Sequence, residues 1–183
     1  LYDFIGLLLV KPADASLLNQ VSGLTADDST LGNALGLLAK IASVTSAETA
    51  EREFNALFVG LGRGELLPYA SHYLTGFLNE MPLAYLRAVM AGRGIGRAEG
   101  THEPDDNIAS LVEMMAGMIV GRFGTVTSEA EQKQFFQNHI ESWAIHFFAD
   151  LEASKTSVFY GAVGALGRQF MEIEAEAFSM LPN

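Results

Sequence analysis

The chain contains no cysteine. That absence excludes disulfide scaffolding, thiolate catalysis and every cysteine-ligated metal site. Positive charge is scarce: 11 Lys and Arg stand against 22 Asp and Glu, for a formal net charge of −11. So acidic a protein repels phosphate backbones and anionic lipid, which makes nucleic acid and membrane surfaces poor partners and favours a cationic peptide. The same charge also serves solubility. Charged residues of both signs make up only 18% of the chain, against about 25% in an ordinary globular domain, which points to apolar surface kept for a partner. No apolar run approaches the roughly 20 residues that span a bilayer. Residues 2–10 are apolar, but Lys11-Pro12 ends them, and they lack the basic flank and small-residue cleavage site of a signal peptide. They read as the end of a buried first helix, with the natural start expected upstream of Leu1. No stable membrane insertion and a cytoplasmic location are expected.

Apolar material is plentiful. Hydrophobic residues make up 49% of 183 residues, with 12 Phe and 7 Met, enough for one sizeable core in one domain or two closely packed halves. Helical periodicity dominates and no run alternates as a strand does. Thr45 with Glu48 forms a capping pair ahead of an apolar face at Phe54, Leu57 and Phe58. Repeated glycine over residues 60–64 stops that helix. Pro68 suits the first turn of the next, which puts Tyr69, Tyr73, Phe77 and Leu78 on one face. A further helix follows Met81-Pro82 and runs to about Ala91. Residues 92–100 hold four glycines and form the best candidate linker. Beyond it, Ile108, Leu111, Val112, Met115, Ile119 and Phe123 recur at helical spacing until Gly124. Thr127 or Ser128 starts another helix. Phe136, Ile140, Trp143, Phe147 and Leu151 then form a long stripe across a kink, and Phe159, Val163, Leu166, Phe170, Ile173 and Ala177 lie in register in the last helix. The expected fold is all-α, a bundle of roughly eight to ten helices. It divides into an N-terminal half (1–91), a hinge (92–103) and a C-terminal half (104–183) forming one compact unit.

Catalytic signatures are missing. Gly92-Arg93-Gly94-Ile95-Gly96 has Arg97 where a dinucleotide fingerprint needs its third glycine, and no strand precedes it. His102-Glu103-Pro104 is not a zinc helix, since no second histidine follows at the required spacing. His139 and His146 are two helical turns apart and are not readily shared by one ion. No serine sits in a nucleophile elbow. The expectation is therefore a protein that is not an enzyme and carries no metal or cofactor. Glu103-Pro104-Asp105-Asp106-Asn107 reads locally as a helix start, with proline and acidic residues complementing the free N–H groups.

Several segments resemble a known family. Phe54-Asn55-Ala56-Leu57-Phe58-Val59-Gly60, Gly62-Arg63-Gly64-Glu65-Leu66 and Pro68-Tyr69-Ala70-Ser71 are similar to the first-half signature of the TorD/DmsD/NarJ chaperones. Glu103-Pro104-Asp105-Asp106-Asn107-Ile108-Ala109 resembles their hinge signature E-P-x-D-H. The run from Phe135 through His139 to Ser142-Trp143 resembles their H-x-x-P-W segment, and Phe159-Tyr160 completes the order. The arrangement most resembles TorD-like members that serve formate dehydrogenases. The resemblance implies an all-helical cytoplasmic chaperone for a molybdenum or tungsten oxidoreductase. Its partners would be the enzyme's catalytic subunit and its leader, often a twin-arginine signal peptide, with the apoenzyme held until the cofactor is inserted. Asn107 stands where the family has His, so a titrating imidazole is absent there. Ser142 stands where the family has Pro.

The residues suit such a peptide. Carboxylates pair with guanidinium in bidentate fashion, and Glu103, Asp105 and Asp106 supply them. With Asn107 and His139 they form the expected peptide-binding set, and Tyr69, Tyr73 and Trp143 are candidates for an apolar wall as well as for the core. Two other readings stay open: a small-molecule or nucleotide-binding enzyme on a helical scaffold, and a structural assembly subunit. A monomer is expected, with a dimer formed by exchange of halves across the hinge at high concentration.

Overall fold

A computed structural model describes residues 1–60, 63–97 and 103–182. Its helices are α1 (Tyr2–Leu9), α2 (Ala15–Ser22), α3 (Thr30–Ala42), α4 (Ala47–Phe54), α5 (Ala70–Thr75), α6 (Met81–Gly92), α7 (Ile108–Val120), α8 (Glu129–Phe136), α9 (Ser142–Ala153) and α10 (Phe159–Met180). Among the described residues there is no strand. One isolated antiparallel bridge joins Tyr69 to Asn107.

The two stripes read from the sequence make the centre of the core. Phe136, Ile140, Trp143, Phe147 and Leu151 are all buried, as are Phe159, Val163, Leu166 and Phe170. The kink between the halves of the first stripe is a π-helical turn at Gln137–Glu141, which joins α8 to α9 and keeps the stripe on one side. α9 and α10 run antiparallel in close contact, because Gly164 and Gly167 leave room. A methyl at Gly164 would lie 2.3 Å from the Glu152 nitrogen, and one at Gly167 would lie 2.2 Å from the Phe148 ring. α1 packs on α7 and α3 on α10, so the N-terminal helices share one core with the C-terminal ones. Tyr2 meets Phe170 edge to face at 4.7 Å.

Glu53, buried in α4, ties these layers together. Its carboxylate accepts from Ser157 Oγ at 2.6 Å and from the backbone N–H groups of Val158 and Phe159 at 3.1 and 3.0 Å. A helix start needs acceptors for its free N–H groups. α10 receives one from another helix, at Glu53, and one from Ser157 Oγ, which accepts from Tyr160 N at 2.9 Å, because its own N-cap, Val158, has no side-chain acceptor.

Several local expectations are corrected. The cap of α4 is Ser46, whose Oγ accepts from Thr49 N at 3.1 Å; Thr45 instead donates back to the Ile41 carbonyl at the end of α3. α4 runs on as a second π-helical turn at Asn55–Val59. Pro68 lies outside α5, where its carbonyl accepts from Ile108 N at 2.9 Å. α5 stops at Thr75 because Gly76 turns left-handed at φ 82°, so Phe77 and Leu78 leave its face and are exposed. α7 closes at Gly121, φ 76°, ahead of Gly124. The glycine-rich linker enters with Gly94 at φ 67° and Ile95 buried; residues 98–102 of the expected hinge lie outside the described residues.

Candidate functional site

The backbone bridge at Tyr69 brings two distant family motifs side by side. Ala70 N donates to the Asp106 carbonyl at 3.0 Å, and Ile108 N donates to the Pro68 carbonyl at 2.9 Å. Extended Tyr69 (φ −125°, ψ 134°) and Asn107 (φ −64°, ψ 140°) therefore face each other at the starts of α5 and α7. A pocket of about 170 Å³ opens beside this junction. Its floor is apolar, made by Leu9, Phe54, Phe58, Ile108 and Phe147, and its polar rim carries Tyr69, Glu103, Asn107 and Ser110. Val10 and Val59 extend the apolar lip, both largely exposed.

The π-helical turn explains why Phe58 points here. An i→i+5 turn shifts the helix face by an extra residue, and Phe54 and Phe58 contact each other and Tyr160. Glu65 N and Leu66 N donate to the Ala56 and Leu57 carbonyls of that turn. Gly64 permits the approach, since a methyl there would lie 2.5 Å from the Leu57 carbonyl oxygen.

The expected site residues fall into three groups. At the pocket rim, the Tyr69 hydroxyl donates to the Glu103 carboxylate. Burial, then the Glu103 carboxylate, pushes that hydroxyl above the usual tyrosine range, so it remains a donor. Asn107 Oδ1 accepts from Ala109 N at 2.9 Å and so caps α7. An amide does this as well as a carboxylate.

Asp105 and Asp106 form the second group, and both are buried. Asp105 is held by two guanidinium groups, Arg87 Nε on Oδ2 at 2.9 Å and Arg97 Nε on Oδ1 at 2.9 Å. Asp106 Oδ2 accepts from Ser71 N at 2.8 Å and caps α5. Its Oδ1, like Ser71 Oγ, is buried and finds no hydrogen-bond partner among the described residues.

The third group stands behind the pocket. Trp143 is 1% exposed and donates from Nε1 to the His139 carbonyl at 2.8 Å. Tyr73 packs on Trp143 at 5.4 Å and on Phe147, and its hydroxyl donates to Asp150 at 2.8 Å. Burial and Asp150 raise the Tyr73 hydroxyl in the same way as Tyr69. These aromatics thus back Phe147 instead of lining the pocket. His139 is buried against Phe135, beside a small notch shared with Asp106, and burial lowers its pKa below 6.5. Among the described residues no group of three His, Cys, Asp or Glu side chains is gathered as a metal ion would need. No described helix is long and apolar enough to cross a membrane.

Leu9, Val10, Phe54, Phe58, Ile108 and Phe147 were not legible as site residues. Each reads as core by periodicity, and Leu9 and Val10 are far from the others in sequence. Phe54, Phe58 and Ile108 had some signal, because they lie within the quoted family motifs.

Comparison with known proteins bears on the same stretch. A family model described as the nitrate reductase delta subunit matches residues 24–149. A chaperone protein TorD of Vibrio atlanticus is 28% identical over 141 residues, covering 70% of this chain and 66% of that one. TorD of Vibrio parahaemolyticus is 28% identical over 132 residues, covering 67% and 61%, and that of Aliivibrio salmonicida 28% over 152 residues, covering 76% and 71%. In the two Vibrio relatives the match thus spans a little under two thirds of the relative's length. The matched residues of the family model contain the motifs around Phe58, Glu103 and Trp143 that make or back the pocket, and this chain belongs to the nitrate reductase delta subunit family.

Proposed function

We propose that this protein is a maturation chaperone for a molybdenum or tungsten oxidoreductase, and that it binds the leader peptide of the client's catalytic subunit while the apoenzyme awaits its cofactor in the cytoplasm. The observation that carries the reading is the pocket with an apolar floor and Glu103 on its rim. A carboxylate offers about four lone-pair sites and Tyr69 uses one, so Glu103 retains capacity for an incoming guanidinium. The floor takes an apolar side chain from the same segment, and the exposed Val10 and Val59 take its neighbours. A buried Leu or Phe side chain contributes about 1.5–3 kcal/mol, and a charge-assisted hydrogen bond about as much. The family membership and the TorD name of the relatives support the same direction.

Asp105 and Asp106 enter this reading differently from Glu103. They are engaged internally, and their main part in it is to hold the rim segment against α5 and α6. The test is titration calorimetry with a synthetic peptide carrying two arginines ahead of an apolar stretch. Glu103→Gln is expected to weaken binding by about tenfold, the value of one charge-assisted contact, while the melting temperature stays within a degree or so. Unchanged affinity in that variant would move the basic end of the peptide away from Glu103.

A further inference from the structure

We propose that Asp105 is a guanidinium subsite that the free protein fills with its own Arg97, and that an arginine of the client displaces Arg97 on binding. The inference rests on the leader-binding reading above. The Asp105 side chain is only 6% exposed, yet its two cationic partners are far more open, Arg87 at 51% and Arg97 at 40%. Among the described residues, this nearly buried carboxylate is thus covered by two half-exposed guanidinium groups.

The two partners are anchored differently. Arg87 is fixed in α6. Arg97 follows the end of that helix, past Gly94 at φ 67° and exposed Gly96. Among the described residues its one other hold is a hydrogen bond from Nη2 to the Glu103 carbonyl at 2.5 Å. That bond places the Arg97 guanidinium between Asp105 and the residue on the pocket rim. A peptide with one arginine at Glu103 thus has the Arg97 position within reach of the next.

Physical chemistry makes this contact an exchange and not a simple opening. Withdrawing Arg97 with nothing in its place leaves a buried carboxylate half paired, which is strongly unfavourable. Replacing it with another guanidinium keeps the carboxylate paired, so the displacement costs little and selects for arginine. Lysine is a poorer replacement, because its ammonium is strongly hydrated and lacks the planar fork that reaches both Asp105 and a neighbouring carbonyl. Arg97 is then an internal competitor that sets a threshold for clients and rejects singly charged or lysine-bearing segments.

The experiment uses the full chain and two synthetic peptides with the same apolar stretch, one headed by Arg-Arg and one by Lys-Lys. Arg97→Gln is expected to tighten the Arg-Arg peptide by about fivefold, the size of one half-exposed ion pair, and the Lys-Lys peptide by less than about twofold. Adding Asp105→Asn to Arg97→Gln should erase the gain. Arg97→Lys should give a smaller gain of the same sign and serves as a second variant if glutamine disturbs folding. An equal gain for both peptides would reduce the effect to plain repulsion and overturn the proposal. A loss for both would make Arg97 a positioning residue for Glu103 and overturn it as well, as would no change. If the unaltered protein binds neither peptide, the leader-binding reading fails and the inference falls with it. If it binds Arg-Arg while Arg97→Gln changes nothing, only the inference falls.

Discussion

Asp105 and Glu103 are two residues apart and carry the same charge, yet the fold uses them differently. Glu103 is exposed with one hydroxyl partner, whereas Asp105 is buried between Arg87 and Arg97. Asp105→Asn is therefore expected to cost about 1–2 kcal/mol of stability in urea unfolding, below the usual cost for a buried pair because both arginines are half exposed. Glu103→Gln should cost almost nothing. Asn107 shows how a family departure is accommodated: its amide caps α7, and no imidazole is needed for that. His139 provides a pH dependence. Burial lowers its pKa below 6.5, so the unfolded chain binds the proton more readily. Its contribution to stability is full above about pH 6.5 and is lost as pH falls through the lower folded value. Lowering pH from about 7 to about 5.5 should thus destabilise the protein, and His139→Gln should flatten that part of the profile in urea melts. A profile unchanged by the substitution would assign the effect to other groups. None of this was legible in the acidic motif alone, since spacing shows that Glu103, Asp105 and Asp106 are adjacent but not which way each one faces.

At the scale of the element, the sequence was most informative where periodicity was long. The stripes ending at Leu151 and beginning at Phe159 were readable and lie in the core, apart from the last turns of α10, where Ile173 and Ala177 are exposed. Boundaries were less readable, for identifiable reasons. Thr45 and Ser46 are both good caps, and the choice depended on Thr45 bonding back to Ile41. Pro68 resembled a helix start because a proline near a helix usually is one. The backbone bridge of Tyr69 to Asn107, a contact between distant residues, kept Tyr69 extended and set the helix start at Ala70. Both π-helical turns were invisible to a period of 3.6, although one was foreshadowed as a kink in the stripe. The junction of α9 and α10 gives a sharp prediction. Gly164→Ala places a methyl 2.3 Å from backbone that cannot move independently. The two helices must separate, at a cost of about 2–3 kcal/mol, measurable by urea unfolding; a cost under about 0.5 kcal/mol would mean that the crossing is looser than described. Glu53→Ala leaves the N–H groups of Val158 and Phe159 and the Ser157 hydroxyl without their acceptor. It should cost about 3 kcal/mol and loosen the start of α10 in hydrogen exchange.

For the whole molecule, the all-α class and the family followed from composition and motif order, whereas the pocket required α1, α4, α7 and α9 to converge. No local pattern relates Leu9 to Phe147. The way the halves share a core also bears on oligomeric state. α1 packs on α7 and α3 on α10, so exchange of residues 104–183 between two copies must break and remake those contacts. We expect a monomer with a slowly formed dimer at high concentration, followed by size exclusion over days; a dimer equilibrating within minutes would contradict this ordering of contacts. In the proposed function, the pocket beside Tyr69 and Glu103 receives an arginine-bearing, apolar leader. Titration calorimetry of the unaltered protein and of Glu103→Gln with the Arg-Arg peptide, at low and high salt, tests it most directly. One-to-one binding is expected that weakens as salt rises, because partly exposed charges are screened, and that falls about tenfold in Glu103→Gln with no change in melting temperature. Binding of the same strength in both proteins, indifferent to salt, would contradict it.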